Sequence, residues 1–398
     1  ENLLASYNPE TKTTARKQTG SFYTPREIVN YMVDESLKAY LKQNLEANAA
    51  MPPEDADAGL EILFSYTEKE HAFNGSETKT LINAVDNCKI LDPACGSGAF
   101  PMGVLHKLVH VLHKLDPQNA GWKERQISKA RFIDDPVIRE QTIADIEAAF
   151  AGNELDYGRK LYLIENCIYG VDIQPIAVQI AKLRFFISLV VDQKKNSGRK
   201  NLGILSLPNL ETKFVAANTL IGLDKPQTGG QVSIKDPEVE NLEDDLKALR
   251  HQYFTARTRR EKLACQKKDR ELRKKISSLL EKDGWNKDSA SQVAAFDPYD
   301  QNASSPFFDP EWMFGITDGF DVVIGNPPYI QIQNFSGSQQ QKDWEQQQYS
   351  TYVKTGDVYC LFYERGYQLL RNGGTLTYIT SNKWMRAKYG KSLRSYIA

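Results

Sequence analysis

Lys89-Ile90-Leu91-Asp92-Pro93-Ala94-Cys95-Gly96-Ser97-Gly98-Ala99 is the stretch that sets the architecture. Ile90-Leu91 makes a short buried strand, Asp92-Pro93 ends it, and the glycines at 96 and 98 permit a turn that a ligand can approach closely. Ala99 to Leu115 places Val104, Leu108, Val111 and Leu115 on one face, so the turn opens a helix. The same alternation recurs on either side. Ile168 to Asp172 predicts a second strand, and Ile176 to Val191 a largely buried helix. Phe214 to Ala216 predicts a third strand, ending at Asn218. Phe320 to Gly325 predicts a fourth, running into Asn326-Pro327-Pro328-Tyr329. A helix over Asp357 to Leu370 stops at Asn372-Gly373-Gly374, a fifth strand covers Thr375 to Thr380, and a last helix covers Ala387 to Ile397. Strands and helices in this order predict an α/β fold around a mainly parallel sheet.

The remaining segments are insertions and flanks. The first twenty residues are polar and read as loose. Thr24-Pro25-Arg26-Glu27 has the form of a capping box with Pro at the first helical position, opening a helix to about Leu41. Residues 42–88 read as a loop with one further helix, and 116–165 as a helical insertion. No Gly or Pro lies between Glu238 and Asp283, which predicts a helical hairpin or one long helix; 284–318 read as loop. The chain therefore divides into an N-terminal helical region (1–88), a first half of the core (89–223), a helical insertion (224–318) and a second half of the core (319–398).

Composition narrows the class. The chain has 398 residues, 41% apolar and 25% charged, which suits a soluble globular protein of two to three domains. The strongest apolar run, Leu183 to Val191, contains Arg184 and is far below the ~20 residues of a membrane span. The start has neither a secretory leader nor an initiator Met, as expected for a piece of a longer polypeptide. Five cysteines form no C-x-x-C pair and read as reduced thiols of a cytoplasmic protein. A net charge of −1 neither suggests nor excludes nucleic acid.

Chemistry enters at two motifs. After Gly98 no Lys-Ser/Thr follows, so the turn is not a P-loop. Pro101 stands where a dinucleotide fingerprint needs Gly or Ala. What remains is a nucleoside-type ligand without a pyrophosphate, its ribose hydroxyls held by Asp172 at the end of the next strand, or else a packing turn beside a strand-end acid. In Asn326-Pro327-Pro328-Tyr329 the prolines stiffen the backbone and end the sheet. Asn326 Oδ1 and the Pro327 carbonyl then offer two acceptors to a planar group carrying an exocyclic amine, with the Tyr329 ring beside it. An ordinary turn is the alternative.

Together, and in this order, these motifs resemble S-adenosylmethionine-dependent DNA amino-methyltransferases of the gamma arrangement, in particular the methyltransferase portion of type IIG restriction–modification enzymes. The resemblance implies a Rossmann-like methyltransferase fold and S-adenosyl-L-methionine as cofactor. It places Gly20-Ser21-Phe22-Tyr23-Thr24-Pro25 by the methionine moiety and Asp92, Pro93, Ala94, Cys95, Gly96, Ser97 and Gly98 in the main cofactor loop. It assigns Asp172 and Ile173 to the ribose, Asn218 and Thr219 to the cofactor adenine, and Phe362 (within Asp357-Val358-Tyr359-Cys360-Leu361-Phe362) to the cofactor's flank. Asn326, Pro327, Pro328 and Tyr329 become the catalytic motif for methylating adenine N6 of a base flipped out of double-stranded DNA, without a general base. Family sheets have seven strands. The last two, the later motif that packs on the flipped base and the target-recognition region are expected beyond residue 398, with an N-terminal nuclease a further candidate of the parent chain. Rival readings are a methyltransferase for a protein glutamine or RNA guanine amine, cytosine N4 as acceptor, or a non-catalytic DNA-docking scaffold.

Weaker signals stay open. The glutamines after Tyr329 (Gln331, Gln333, Gln339 to Gln341, Gln346 to Gln348) read as a base- or phosphate-contacting loop poorly ordered without DNA, with Trp344 or Tyr349 stacking, or as a plain polar loop. Lys247 to Lys275 carries twelve Lys/Arg and reads as a phosphate clamp or a solvated helix face. His106, His110 and His113 share a helix face, read as solvent-side or insertion-packing residues. The triplets Glu10/Lys12, Glu77/Lys79 and Glu211/Lys213 read as chance Glu-x-Lys matches, not a nuclease site.

Overall fold

The computed structural model describes residues 7–8, 13–14, 23–131, 136–151, 155–193, 198, 202, 204, 207–225, 237–334 and 346–398. Tyr7–Asn8 and Thr13–Thr14 pair as a short antiparallel ladder. The main sheet has five strands: β1 (Ile90–Asp92), β2 (Ile168–Asp172), β3 (Phe214–Ala216), β4 (Phe320–Gly325) and β5 (Leu370–Tyr378). All neighbours are parallel and the order is β3-β2-β1-β4-β5, with Leu91 opposite both Tyr169 and Val323. The chain builds outward from β1 to β3, then crosses back to start β4 beside β1. That reversal makes the carboxyl ends of β1 and β4 a topological switch point, where open α/β sheets bind ligands. The fold is Rossmann-like.

The pleat sorts strand residues to two cores. Ile90, Ile168, Phe214, Val322 and Ile324 face α1 (Arg26–Ala49), α2 (Pro53–Phe64), α3 (Gly75–Asn87), α4 (Ala99–Leu115), α7 (Leu155–Asn166) and α8 (Pro175–Val191); α5 (Ala120–Ala130) and α6 (Pro136–Ala151) precede α7. Leu91, Tyr169, Val215 and Val323 face the other way, onto Phe296, Phe307, Phe308 and Met313. The insertion carries its own apolar cluster. It is a hairpin of α9 (Pro237–Thr255) and α10 (Arg259–Lys282), followed by α11 (Lys287–Ala295) and α12 (Pro310–Phe314). Thr258 and Glu261 form a reciprocal capping box that opens α10, which is why the chain turns there.

Several expectations are corrected. Pro25 is the N-cap of α1 and no side chain caps that helix, because the Thr24 hydroxyl is engaged elsewhere. α1 runs on to Ala49, beyond the expected end near Leu41, and the rest of 42–88 holds two helices, α2 entered through Pro53 and α3 capped by Asn74 with Glu77. Segment 284–318 contains α11, capped by Asn286 and anchored by Ala290 and Val293. α8 is not largely buried. Val178, Ala181, Phe185 and Leu189 face the core, while Ile176 (61% exposed), Ile180, Leu183, Ile187 and Val191 face outward. A helix apolar on all sides does not announce which side is covered. β5 already begins at Leu370, and Gly373 (φ +77°) lies inside a bulge between the Phe320–Leu370 and Val322–Thr375 pairs. The final helix, α14, is confined to Lys391–Ile397. Two 3₁₀ turns precede it, and Gly390 lies so close to the Trp384 carbonyl that no Cβ fits. Among the described residues no helix is long and apolar enough to cross a membrane.

Candidate active site

The two chemical motifs end adjacent parallel strands. A Cβ built on Gly325, the residue before Asn326, would stand 2.6 Å from Asp92 Oδ1 and 3.7 Å from Pro93 Cδ. Gly325, which leads into the Asn326 corner, therefore packs directly on Asp92 and Pro93 at the start of the 92–98 turn. Asp92 is buried, its carboxyl accepts the Ala94 N–H at 3.1 Å, and burial pushes it well above the usual carboxylate range.

Glycine is required twice in this turn. Gly96 (φ +52°) and Gly98 (φ +79°) occupy the left-handed region, and a Cβ on Gly98 would meet Ala181 of α8 at 3.0 Å. A Cβ on Gly96 would meet nothing within 4 Å, so the turn faces open space there. The Cys95 N–H donates to the Val171 carbonyl at 2.8 Å, tying the turn to β2. Asp172 closes the arrangement: its carboxylate accepts the Gly96 N–H at 2.9 Å and the Gln174 N–H at 2.8 Å. Burial raises the Asp172 carboxyl, opposed by those two hydrogen bonds. Ile173 beside it is exposed.

The third strand's end adjoins the same turn. Thr219 Oγ1 donates to the Pro93 carbonyl at 2.7 Å, and Asn218 Oδ1 accepts the Leu220 N–H at 3.2 Å. Phe362, on α13 (Tyr359–Leu369), packs in a buried cluster with Leu220 against Ala94. Ser97 is fixed through its carbonyl by Arg184 Nη1 at 2.9 Å.

Asn326 is half-buried, and its Nδ2 donates to Thr24 Oγ1 at 3.1 Å. Thr24 is buried between exposed Tyr23 and exposed Pro25. Pro327 is buried, and Pro328 and Tyr329 are half-buried. The Tyr329 hydroxyl donates to the Ile379 carbonyl at 2.9 Å, its ring stands 5.9 Å from that of Tyr359, and burial raises the phenol to about 12. The structure thus brings Thr24, the 92–98 turn, Asp172, Asn218–Thr219, Phe362 and the 326–329 corner to one end of the sheet. Gly20, Ser21 and Phe22 lie outside the described residues.

Sequence reading missed the residues that lock these loops together. Arg365 Nε donates to the Thr219 carbonyl at 2.9 Å and its Nη2 to the Phe308 carbonyl at 2.8 Å. Tyr349 is a correction. It is buried, with its hydroxyl donating to the Leu220 carbonyl at 2.6 Å, and so presents no face for a base to stack on. Trp344 and Gln339 to Gln341 lie outside the described residues; Gln346 to Gln348 are exposed. Of the twelve basic residues in 247–275, Arg250 and Arg273 are not surface charges, since both bond buried Asp269 (3.3 and 2.6 Å). His110 Nε2 stands 3.0 Å from the Ser65 carbonyl and His113 Nδ1 3.4 Å from Arg159 Nη1, so both serve packing between helices.

The Eco57I restriction-modification methylase family matches residues 166–398, more than half of the chain and all of it from β2 onward. The chain belongs to this family. It is 29% identical to RM.MjaORFECS2P of Methanocaldococcus jannaschii over 210 residues (52% of this chain, 15% of that protein). It is 21% identical to RM.Eco57I of Escherichia coli, a type II restriction enzyme and methyltransferase, over 313 residues (78% of this chain, 22% of that protein). It is also 23% identical to BrxX of E. coli O9:H4 (strain HS), an adenine-specific methyltransferase, over 390 residues (94% of this chain, 27% of that protein). The chain thus spans about a quarter or less of these relatives' lengths. Within this family member the Asp172 carboxylate and the whole 326–329 corner fall inside the matched region, while Thr24 and the 92–98 turn lie ahead of it.

Proposed function

We propose that the chain is the core of a DNA methyltransferase that modifies adenine N6 with S-adenosyl-L-methionine as donor, within a restriction–modification or phage-defence enzyme. The observation that carries this is the packing of Gly325, the residue before Asn326, on the start of the 92–98 turn at the switch point. The 92–98 turn fits the cofactor. Open space over Gly96, carboxylate lone pairs on Asp172 at a strand end, and an aromatic wall from Phe362 suit a nucleoside. BrxX, named as adenine-specific, aligns with nearly the whole chain and supports adenine over cytosine.

S-adenosyl-L-methionine, when bound, supplies an activated methyl on sulfur as the electrophile. The protein contributes orientation and polarisation. Asn326 Oδ1 and the Pro327 carbonyl accept the two hydrogens of the adenine amine, which localises the nitrogen lone pair and directs it out of the ring plane. Thr24 holds the amide by its NH₂ end and so fixes the orientation of the side chain at the corner. Tyr329, anchored through its hydroxyl to Ile379, presents its ring to the base face. The base must leave the helical stack to reach this corner, at a cost of a few kcal/mol. No side-chain base is needed for the attack, because the amine is a neutral nucleophile, and the proton made acidic by methylation passes to water afterwards.

Methyl transfer from tritiated S-adenosyl-L-methionine by the full-length polypeptide, offered duplex DNA, protein and RNA in parallel, tests the proposal. The label is expected in N6-methyladenine, with Asn326→Ala lowering the rate by at least ~100-fold, about the effect of losing a key polarising group. Label in protein or RNA, or full activity in Asn326→Ala, overturns it.

A further inference from the structure

Past Glu364 the charge balance of the chain breaks down. Residues 365–398 hold seven Lys/Arg and no Asp or Glu, against a net charge of −1 for the whole sequence. The fold consumes three of the seven. Arg365 bonds the Thr219 and Phe308 carbonyls, Arg371 bonds Asp321, and Arg394 bonds the Trp384 and Ala387 carbonyls. The other four, Lys383, Arg386, Lys388 and Lys391, are exposed, and among the described residues they make no ion pair. The frame that carries them is tied to the 326–329 corner at two points. At the first, the Ile379 N–H donates to the Gly325 carbonyl at 3.1 Å and the Ile379 carbonyl accepts the Tyr329 hydroxyl. At the second, the Tyr389 hydroxyl donates to Asp357 at 2.9 Å and lies 2.8 Å from that of Tyr359, whose ring stands beside that of Tyr329. Between the two ties run the 3₁₀ turns Asn382–Met385 and Lys388–Gly390, with the Trp384 ring 5.7 Å from that of Tyr363.

This places the four cations beside the corner. Lys383 follows Ile379 by four residues, so its Cα lies within about 14 Å of that contact even along extended backbone. Lys388 and Lys391 flank Tyr389. The acids beneath the frame are engaged, Asp357 by Tyr389 and Glu364 by Ser350 and Thr351, and neither is free to pair with the cations. We propose that Asn382 to Lys391 is a phosphate-binding platform that grips the DNA backbone beside the flipped base, with Lys383, Arg386, Lys388 and Lys391 as its cations. The proposal rests on the DNA reading of the methyl-transfer site and names the surface that holds the duplex there. Contacts to phosphate fix position without reading bases, so the platform adds affinity and no sequence preference. The other basic surface, on α10, is placed less well. The insertion that carries it meets the core through α9, where His251 bonds Glu165 just ahead of β2, at the amino ends of the strands.

Binding of the full-length polypeptide to fluorescent duplex DNA of mixed sequence, followed by anisotropy over a fourfold range of salt, tests this. Each phosphate contact contributes about 0.9 to the slope of log affinity against log salt. Lys383→Gln with Arg386→Gln, and separately Lys388→Gln with Lys391→Gln, should each lower that slope by about 1.8. Across the fourfold range the wild type then loses about 12-fold more affinity than either double variant, and alike for duplexes of different sequence. Lys274→Gln with Lys275→Gln, on the exposed side of α10, makes the same change in charge and is expected to leave the slope where it is. A wild-type slope in both platform variants, or an equal fall in the α10 variant, overturns the proposal. The two readings fail differently. Duplex binding with an unmoved slope removes the platform alone, whereas no duplex binding by the wild type removes the proposed function together with it.

Discussion

Thr24→Val isolates the hydrogen bond that orients the Asn326 amide. Valine keeps the shape of the buried side chain and deletes only the hydroxyl that accepts Asn326 Nδ2 at 3.1 Å, across 302 residues of sequence. A neutral hydrogen bond of this kind contributes about 0.5–1.5 kcal/mol net. Without it the amide also turns more freely, so its oxygen faces the base for a smaller fraction of the time. Taken as about 1 kcal/mol, the loss slows the transfer step about fivefold. The assay is single-turnover methyl transfer with the full-length polypeptide, read beside the dissociation constant for S-adenosyl-L-methionine. A slower step with nearly unchanged cofactor affinity is expected, restored by Thr24→Ser. In the double variant with Asn326→Ala, the threonine change should add nothing, because its effect runs through the amide. An unchanged step, or a loss confined to cofactor affinity, refutes the orienting role.

Other substitutions probe the remaining contacts. Gly325→Ala forces a methyl to 2.6 Å from Asp92 Oδ1, and overpacking of this kind costs about 1–3 kcal/mol; thermal stability, cofactor affinity and transfer rate should fall together. Asp269→Ala leaves Arg250 and Arg273 buried without their carboxylate, a loss of about 3–5 kcal/mol that urea unfolding should read. Burial raises the Asp92 carboxyl, so its ionised form is disfavoured in the fold and stability is lost as pH rises from its usual value of 3.8 towards the raised one. Asp92→Asn should therefore melt no lower than wild type at pH 8. The Glu165 carboxylate raises His251 above its ordinary 6.5; that stabilisation is fully present below 6.5 and fades as pH climbs through the raised value. Glu165→Gln should flatten this part of the melting-temperature profile.

Much of the site was legible before any coordinates. Short apolar runs bounded by Asp, Asn, Gly and Pro marked β1 to β4, because a strand buried on both faces is largely apolar and must stop where the chain turns, whereas half-exposed β5 was marked only from Thr375. The Gly96 and Gly98 pair and the double proline were readable for a similar local reason, since each restricts the backbone through its own covalent structure. Helix over 238–283 followed from the absence of breakers, but only the structure chose a hairpin over one long helix and placed its turn before the Thr258–Glu261 capping box.

Local pattern cannot decide which distant groups meet. Thr24 reads as a helix cap in its own neighbourhood, yet its hydroxyl binds Asn326, and α1 begins without it. α8 looks buried by composition, but only packing selects the Val178–Leu189 side for the core. Tyr349 looks available beside a polar stretch and is consumed by Leu220; Arg250 counts as surface charge until Asp269 and the α12 carbonyls surround it. The residues alone determined the strands, the turns and the order of the motifs, because these depend on covalent geometry and near neighbours. Only the folded chain decided strand order, the covered helix faces and the partners of each polar group, because those contacts join residues hundreds of positions apart and exist only once the sheet has closed its switch point.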